Sequence, residues 1–174
     1  MGSWKKQHAE EIVRDAIHKV YSRLWRYCLV LTSNRTQAED LSQAACLRAL
    51  EKASMFKKGT QFDRWIFRIA QRLWIDEVRK IAVRRGGGLS SINEIDLVDP
   101  QANPERQLMD REVVMSVMRL PEAQRAAVLL VYVEGYSYRE AAEILGIPVG
   151  TVMSRLSVAR GKLVQILKDR AEVG

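Results

Sequence analysis

Between Glu11 and Val83 the chain contains no proline, and Gly59 is the only glycine. Proline and glycine are the strongest helix breakers, so so long a stretch nearly free of both points to helices. The apolar residues agree. Ile12, Ala16, Val20, Leu24, Tyr27 and Leu31 recur at intervals of three or four, the spacing of one helix face. "SNRTQAED" interrupts the stripe, and Thr36 with Glu39 predicts a capping box for a second helix, whose Ala38, Leu41, Ala45 and Leu50 face a core. "ASMFKKGTQ" reads as a loop. A long helix follows from about Phe62 to about Val83, with Trp65, Ile66, Ile69, Leu73 and Val78 on its apolar stripe and Trp74 half-buried. No alternating pattern of any length suggests a strand, so the fold class is all-α.

The helical pattern then stops. "RRGGGLSSINEIDLVDPQANPE", Arg84 to Glu105, carries three successive glycines, two serines and two prolines. It predicts a flexible linker over 86–106 between two small helical domains, 8–85 and 107–170. The second domain is also helical. Pro104 to Leu120 form a helix carrying Leu108, Val113, Val114 and Val117. Pro121 is suited to the first turn of the next helix, which "AQRAAVLLVYVE" fills and Gly135 stops. Ser137 with Glu140 caps a further helix, ended by Gly146-Ile147-Pro148. The last helix runs from Thr151 to about Lys168, with Val152, Leu156, Ala159, Leu163 and Ile166 on one face.

"AAEILGIPVGTVMSRL", Ala141 to Leu156, has the build of a helix-turn-helix. Ala142 is small where a second helix crosses closely, Gly146 accepts a positive φ in the turn, and Val152 closes the small core. An ordinary helical hairpin shares this pattern. The outward face of the last helix favours a DNA reader: Ser154, Arg155, Ser157, Arg160 and Lys162 offer hydroxyls and cations to phosphates and base edges.

The formal net charge of +7 suggests a polyanionic partner, and a hydrophobic content of 47% is enough for a packed core. Nucleic acid is preferred to a membrane surface, because no segment stands apart as an amphipathic anchor. No leader-like segment opens the chain and no apolar run approaches a membrane span, so a cytoplasmic location without membrane insertion is expected. Cys28 and Cys46 sit in apolar helical patterns and read as small buried hydrophobes. With His8 and His18 the only histidines and no CxxC pair, neither a metal nor another cofactor is expected. No nucleophile set, phosphate loop or paired-His motif occurs, so neither catalysis nor a small-molecule substrate is expected.

"AEDLSQAACLRAL" (Ala38–Leu50) and "FDRWIFRIAQRLWIDEVRK" (Phe62–Lys80) together resemble region 2 of the extracytoplasmic-function (ECF) sigma factors, a group of the sigma-70 family. "LPEAQRAAVLLVYVEGYSYREAAEILGIPVGTVMSRLSVARGKL" (Leu120–Leu163) resembles region 4 of the same group. The resemblance spans nearly the whole chain except the extreme termini and the linker, and the order of the two halves makes it specific.

The resemblance implies a promoter-specificity subunit that binds core RNA polymerase and promoter DNA. It implies core docking through Asp40, Leu41, Gln43 and Arg48; relatives often have Glu at the place of Ala44. It implies contact with the downstream, −10, promoter element through the loop residues Phe56, Lys57, Lys58, Thr60 and Gln61, which would hold a flipped base, and through Arg64, Arg68, Arg72 and Arg79 on the long helix. The family frequently has Asn at the place of Arg72. Spacing by four puts Arg64, Arg68 and Arg72 on one face, suited to strand phosphates. Upstream, −35, contacts are implied for Thr151, Met153, Ser154, Arg155, Ser157, Val158, Arg160 and Lys162; family members frequently place a basic residue at Met153. The linker, with Glu94, Asp96, Asp99 and Glu105 and no Lys or Arg from Gly86 to Glu105, either stays solvated or threads the polymerase's RNA channel. An anti-sigma factor is an implied further partner. A helix-turn-helix regulator with a helical dimerisation domain, or a helical adaptor, are the alternatives.

Overall fold

In a computed structural model the described backbone comprises residues 2–57, 59–85 and 115–173, with side chains described for 6–57, 59–84 and 115–165. Lys58, the expected linker, the Arg85 side chain, Leu108, Val113, Val114 and Ile166 lie outside these. Among the described residues every regular element is helical. Contacts group the chain into two compact units, Met1–Asp96 and Leu97–Gly174.

The first unit is built on α1 (Gly2–Thr32), α2 (Arg35–Glu51) and α3 (Phe62–Arg85). The reversal between α1 and α2 takes two residues. Ser33 adopts φ 53 and Asn34 caps α2, its side-chain oxygen accepting the Gln37 N–H at 2.9 Å. The expected Thr36 capping box therefore does not form. Helical bonding has already begun upstream of Thr36, since the Asn34 carbonyl accepts the Ala38 N–H, and Asn is at least as good a cap as Thr. Glu39, the other half of that box, pairs instead with Arg35 at 3.1 Å.

Small residues let α2 lie close to its neighbours. Ala38, Ala45 and Ala49 are fully buried, and the buried Ser42 satisfies its hydroxyl by donating to the Glu39 carbonyl. From α1 the core takes Val13, Leu24, Trp25 and the run Tyr27–Leu31; from α3 it takes Ile66, Phe67 and Ala70. Tyr27 stacks on Phe67 at 5.0 Å and its hydroxyl donates to Gln71 Oε1 at 2.7 Å, tying α1 to α3. Val78, expected on the apolar stripe of α3, is 39% exposed. From Asp76 to Lys80 that helix is exposed on every side, so helical periodicity outlasts the core it was expected to face.

Cys28 is buried and Cys46 partly so, both as free thiols. Burial pushes both thiols up, Cys46 to about 11, and the neighbouring Cys46 adds to the effect on Cys28. This fits their reading as packing residues.

In the second unit residues 115–118 are helical, followed by α4 (Glu122–Val128), α5 (Tyr138–Leu145) and α6 (Val149–Val173). Pro121 is the N-cap of α4, one position before the first turn expected for it. The helix continues over Leu129–Val133 with wider, π-type turns, closed by the Glu134 N–H donating to the Leu129 carbonyl. Gly135 then takes φ 76 and the Tyr136 N–H returns to the Leu130 carbonyl, completing the stop. Ser137 and Glu140 form the expected reciprocal capping box on α5.

Gly146 ends α5 at φ 67, and the N–H groups of Gly146 and Ile147 both donate to the Ala142 carbonyl. No atom crowds a Cβ there, so the requirement for glycine is conformational. Gly146→Val places a β-branched residue in the left-handed region; destabilisation of about 2 kcal/mol is expected in urea melts of the second unit. A change near zero would show that the turn adopts another backbone.

Candidate functional site

The helix-turn-helix is assembled as its residues dictate. The axes of α5 and α6 turn by 105° across the break, within the range of such motifs. Ala142, Val152, Leu156 and Ala159 are buried at the crossing. The last helix begins at Val149, two residues before the expected Thr151, because the Pro148 carbonyl already accepts the Thr151 and Val152 N–H groups. Thr151 is accordingly half-buried in the first turn, its carbonyl accepting the Ser154 hydroxyl at 3.0 Å. Met153, Ser154, Ser157, Val158, Arg160 and Lys162 are exposed; Arg155 is half-buried. Helical geometry spreads them over three strips. Gly150, Ser154, Ser157 and Gly161 lie opposite the buried side. Met153 and Arg160 flank them on one edge, and Thr151, Arg155, Val158 and Lys162 on the other.

The arginine of the "LPEAQR" segment is not part of this surface. Arg125 is buried and its Nε donates to the Leu120 carbonyl at 2.9 Å, closing the turn into α4. Burial lowers the affinity of this guanidinium for its proton, while nearby Glu122 acts in the opposite sense.

On α3, Arg68 and Arg72 are exposed and Arg64 half-buried on one face. From Arg64 to Ile75 the helix carries no acidic residue, and among the described residues no ion pair engages Arg68 or Arg72. Beyond that, both signs mix: Arg79 lies 3.9 Å from Asp76 and Lys80 3.9 Å from Glu77, all well exposed. Among the described residues, uncompensated positive charge on α3 is thus strongest at Arg68 and Arg72, with Arg79 partly neutralised.

The loop before α3 is an ordered turn. Residues Ala53–Met55 form a 3₁₀ turn, Gly59 takes φ 95, and the Lys57 carbonyl accepts both the N–H and the hydroxyl of Thr60. Lys57, Thr60 and Gln61 are exposed, with Gln61 Oε1 accepting from Arg64 Nη1 at 3.4 Å. Phe56 is half-buried against two aromatics absent from the expected loop site, Phe62 at 5.3 Å and Trp65 at 5.2 Å. The clue was three aromatics at positions 56, 62 and 65, astride a loop and the first turn of a helix. Arg23 of α1 fixes that first turn, bonding Asp63 at 3.1 Å while lying over the Phe67 ring. A half-buried aromatic wall therefore meets polar loop groups and the start of the Arg face.

On α2, Asp40 and Gln43 are exposed as expected. Leu41 is not available to a partner: it is 8% exposed and packs into the unit's own core. The apolar group on the outer face is Leu47, 61% exposed, which shares one strip with Asp40, Gln43 and Ala44 at spacings of seven, four and three. Its signal was a leucine out of phase with the inner stripe. Arg48 stands beside this strip, bonded to Glu51 at 3.4 Å.

Among the described residues no cluster of His, Cys, Asp or Glu could hold a metal ion, and no single helix is long and apolar enough to cross a membrane.

Comparison with known proteins places both halves. The sigma-70 region 2 family model matches residues 6–84 and the sigma-70 region 4 model matches residues 110–163. The chain is 29% identical to the ECF RNA polymerase sigma factor SigW of Bacillus subtilis over 174 residues, 94% of this chain and 93% of the relative. It is 33% identical to the ECF RNA polymerase sigma factor EcfG of Rhodopseudomonas palustris over 155 residues, 89% of this chain and 84% of the relative. The sigma factor RpoE of Bartonella quintana, solved in complex with the anti-sigma factor NepR, superposes with a TM-score of 0.72 at 26% identity, covering 89% of this chain and 96% of that one. CnrH, solved with the cytosolic domain of CnrY, shares the fold at a TM-score of 0.62 and 21% identity, covering 95% of this chain and 96% of that one.

Proposed function

The chain belongs to the ECF RNA polymerase sigma factors of the sigma-70 family, and on that premise we propose how its surfaces divide the work of promoter-specific initiation. The outer strip of α2, with Asp40, Gln43 and Leu47 at its centre and Arg48 at its margin, docks on core polymerase. The aromatic cluster of Phe56, Phe62 and Trp65, with the loop residues Lys57, Thr60 and Gln61 and with Lys58 as a further candidate from the sequence, receives an unstacked base of the −10 element. A flipped base needs an aromatic wall and polar contacts to its edge, and the loop brings both together. Arg64, Arg68 and Arg72, with a weaker contribution from Arg79, track the phosphates of the adjoining strand. The outer strips of α6 enter the −35 duplex.

The observation that carries this reading is an exposed basic face on α3, whose Arg68 and Arg72 engage no ion pair among the described residues, in one compact unit and a helix-turn-helix in the other. Residues 86–106 are proposed as the tether between domains 8–85 and 107–170. Two modest DNA sites joined by a tether gain affinity through effective concentration. The polymerase supplies the chemistry and the sigma factor supplies recognition and strand capture, within the cytoplasm. Control by an anti-sigma factor is proposed from the likeness to RpoE, solved in complex with NepR.

Run-off transcription with purified core polymerase on a pool of genomic fragments tests the reading. Defined transcripts that depend on the added chain are expected; no stimulation together with no core binding sinks it. Within that assay Leu47→Asp, which removes an exposed apolar group, should weaken core binding about tenfold or more without altering the melting curve. Asp40→Ala should weaken it less. Unchanged core affinity for Leu47→Asp would move the docking surface away from this strip.

A further inference from the structure

Met153 is 52% exposed in the second turn of α6, on one edge of a surface made mostly of hydroxyls, glycines and cations, with Val158 on the opposite edge. Among the described residues none covers it. Between Gly150 and Gly161 the residues opposite the buried side of α6 are small: Gly150, Ser154, Ser157 and Gly161. A Cβ at either glycine would meet no atom within 4 Å, so close packing within the chain does not account for them. Glycine inside a helix is destabilising, and here the strip of small residues lets the helix approach a duplex closely. On such a seated helix a long flanking side chain in the N-terminal turns reaches base edges.

We propose that Met153 reads the methyl group of a thymine in the upstream promoter element. This rests on the assignment of α6 as the −35 reader. A methionine side chain has no donor and only a weak acceptor, so it cannot pair with a phosphate or with the polar edge of a base. Among the groups displayed in the major groove only the thymine C5-methyl is apolar. Against cytosine, adenine or guanine the same side chain leaves a desolvated donor or acceptor unpaired, which disfavours those bases. Its unbranched, flexible thioether adapts to a methyl whose exact position it does not fix by packing. The other exposed apolar residues of α6 are less suited. Val158 lies on the opposite edge, about 7.5 Å further along the axis, and Val164 lies about 16 Å further, away from the N-terminal turns that meet base edges.

The test uses holoenzyme, formed from the full chain and core polymerase, on a promoter recovered by the run-off assay. Each thymine of the upstream element is replaced singly by uracil, which removes only the methyl. One position is expected at which uracil lowers affinity about three- to fivefold, the effect of exposing one methyl group. Met153→Ala should bind the thymine duplex correspondingly more weakly and lose its sensitivity to uracil at that position. Met153→Leu, of similar volume, should retain both affinity and sensitivity. Indifference to uracil at every position, with an upstream footprint intact, overturns the proposal alone, as does uracil sensitivity that persists in Met153→Ala. Absence of any upstream footprint overturns it together with the assignment of α6.

Discussion

Arg68→Glu combined with Arg72→Glu should lower run-off transcription at least about a hundredfold while leaving core binding and helix content intact. Both side chains are exposed, so the substitutions disturb no packing. Both lie on the stretch of α3 that carries no acid, so the reversal converts a phosphate-attracting face into a repelling one. The milder variants Arg68→Ala and Arg72→Ala give the diagnostic readout. Each lost phosphate contact on a single strand should reduce the slope of log affinity against log salt by about 0.7. Arg79→Ala should reduce it less, since that guanidinium already lies 3.9 Å from Asp76. Equal salt slopes for the parent and the Arg68→Ala, Arg72→Ala double variant would remove these residues from the DNA surface.

Phe67→Ala should destabilise the first unit by about 3–5 kcal/mol. The ring is fully buried, stacks on Tyr27 and lies beneath the Arg23 guanidinium that also holds Asp63. Its loss opens a cavity between α1 and α3 and loosens the first turn of α3, where the aromatic wall begins. Domains of this size have little stability in reserve, so the unit should be largely unfolded at 37 °C. Trp4, Trp25, Trp65 and Trp74 are the four tryptophans of the chain and all fall within the first unit, so fluorescence during urea unfolding reports on it selectively. Phe67→Leu should cost less, by retaining most of the apolar volume. A shift below about 1 kcal/mol for Phe67→Ala would mean that the neighbouring helices collapse onto the vacated space.

Helix type and approximate extent were legible because they rest on local rules. Proline and glycine placement, three-to-four periodicity and the Ser137–Glu140 box act within a few residues, and among the described residues the structure shows the helices they imply. Errors arose where two local signals competed or where a distant partner was needed. Thr36 and Asn34 were both adequate caps, and the left-handed Ser33 selected Asn34. Val78 had the right period on α3, but it is 39% exposed in a stretch of the helix that is exposed on every side. The π-type widening at Leu129–Val133 has no short-range signature of its own.

The candidate surfaces divide in the same way. The basic face of α3 and the hydroxyl-rich face of α6 follow from period alone, because one helix displays each of them. Period already separates Leu41, on the inner stripe of α2, from Leu47, out of phase with it, and packing against the other helices buries the first and leaves the second outside. Likewise Phe56 joins Phe62 and Trp65 only because the Lys57–Thr60 turn folds the loop back onto α3.

The sequence by itself determined that the fold class is all-α and that its family resemblance lies in two successive halves, because these properties are carried by neighbours along the chain. Tertiary structure alone decided that Phe56 of the loop joins Phe62 and Trp65, and how far each apolar side chain of α2 is covered. Burial is a property of what packs against a residue, and that partner is supplied by another helix.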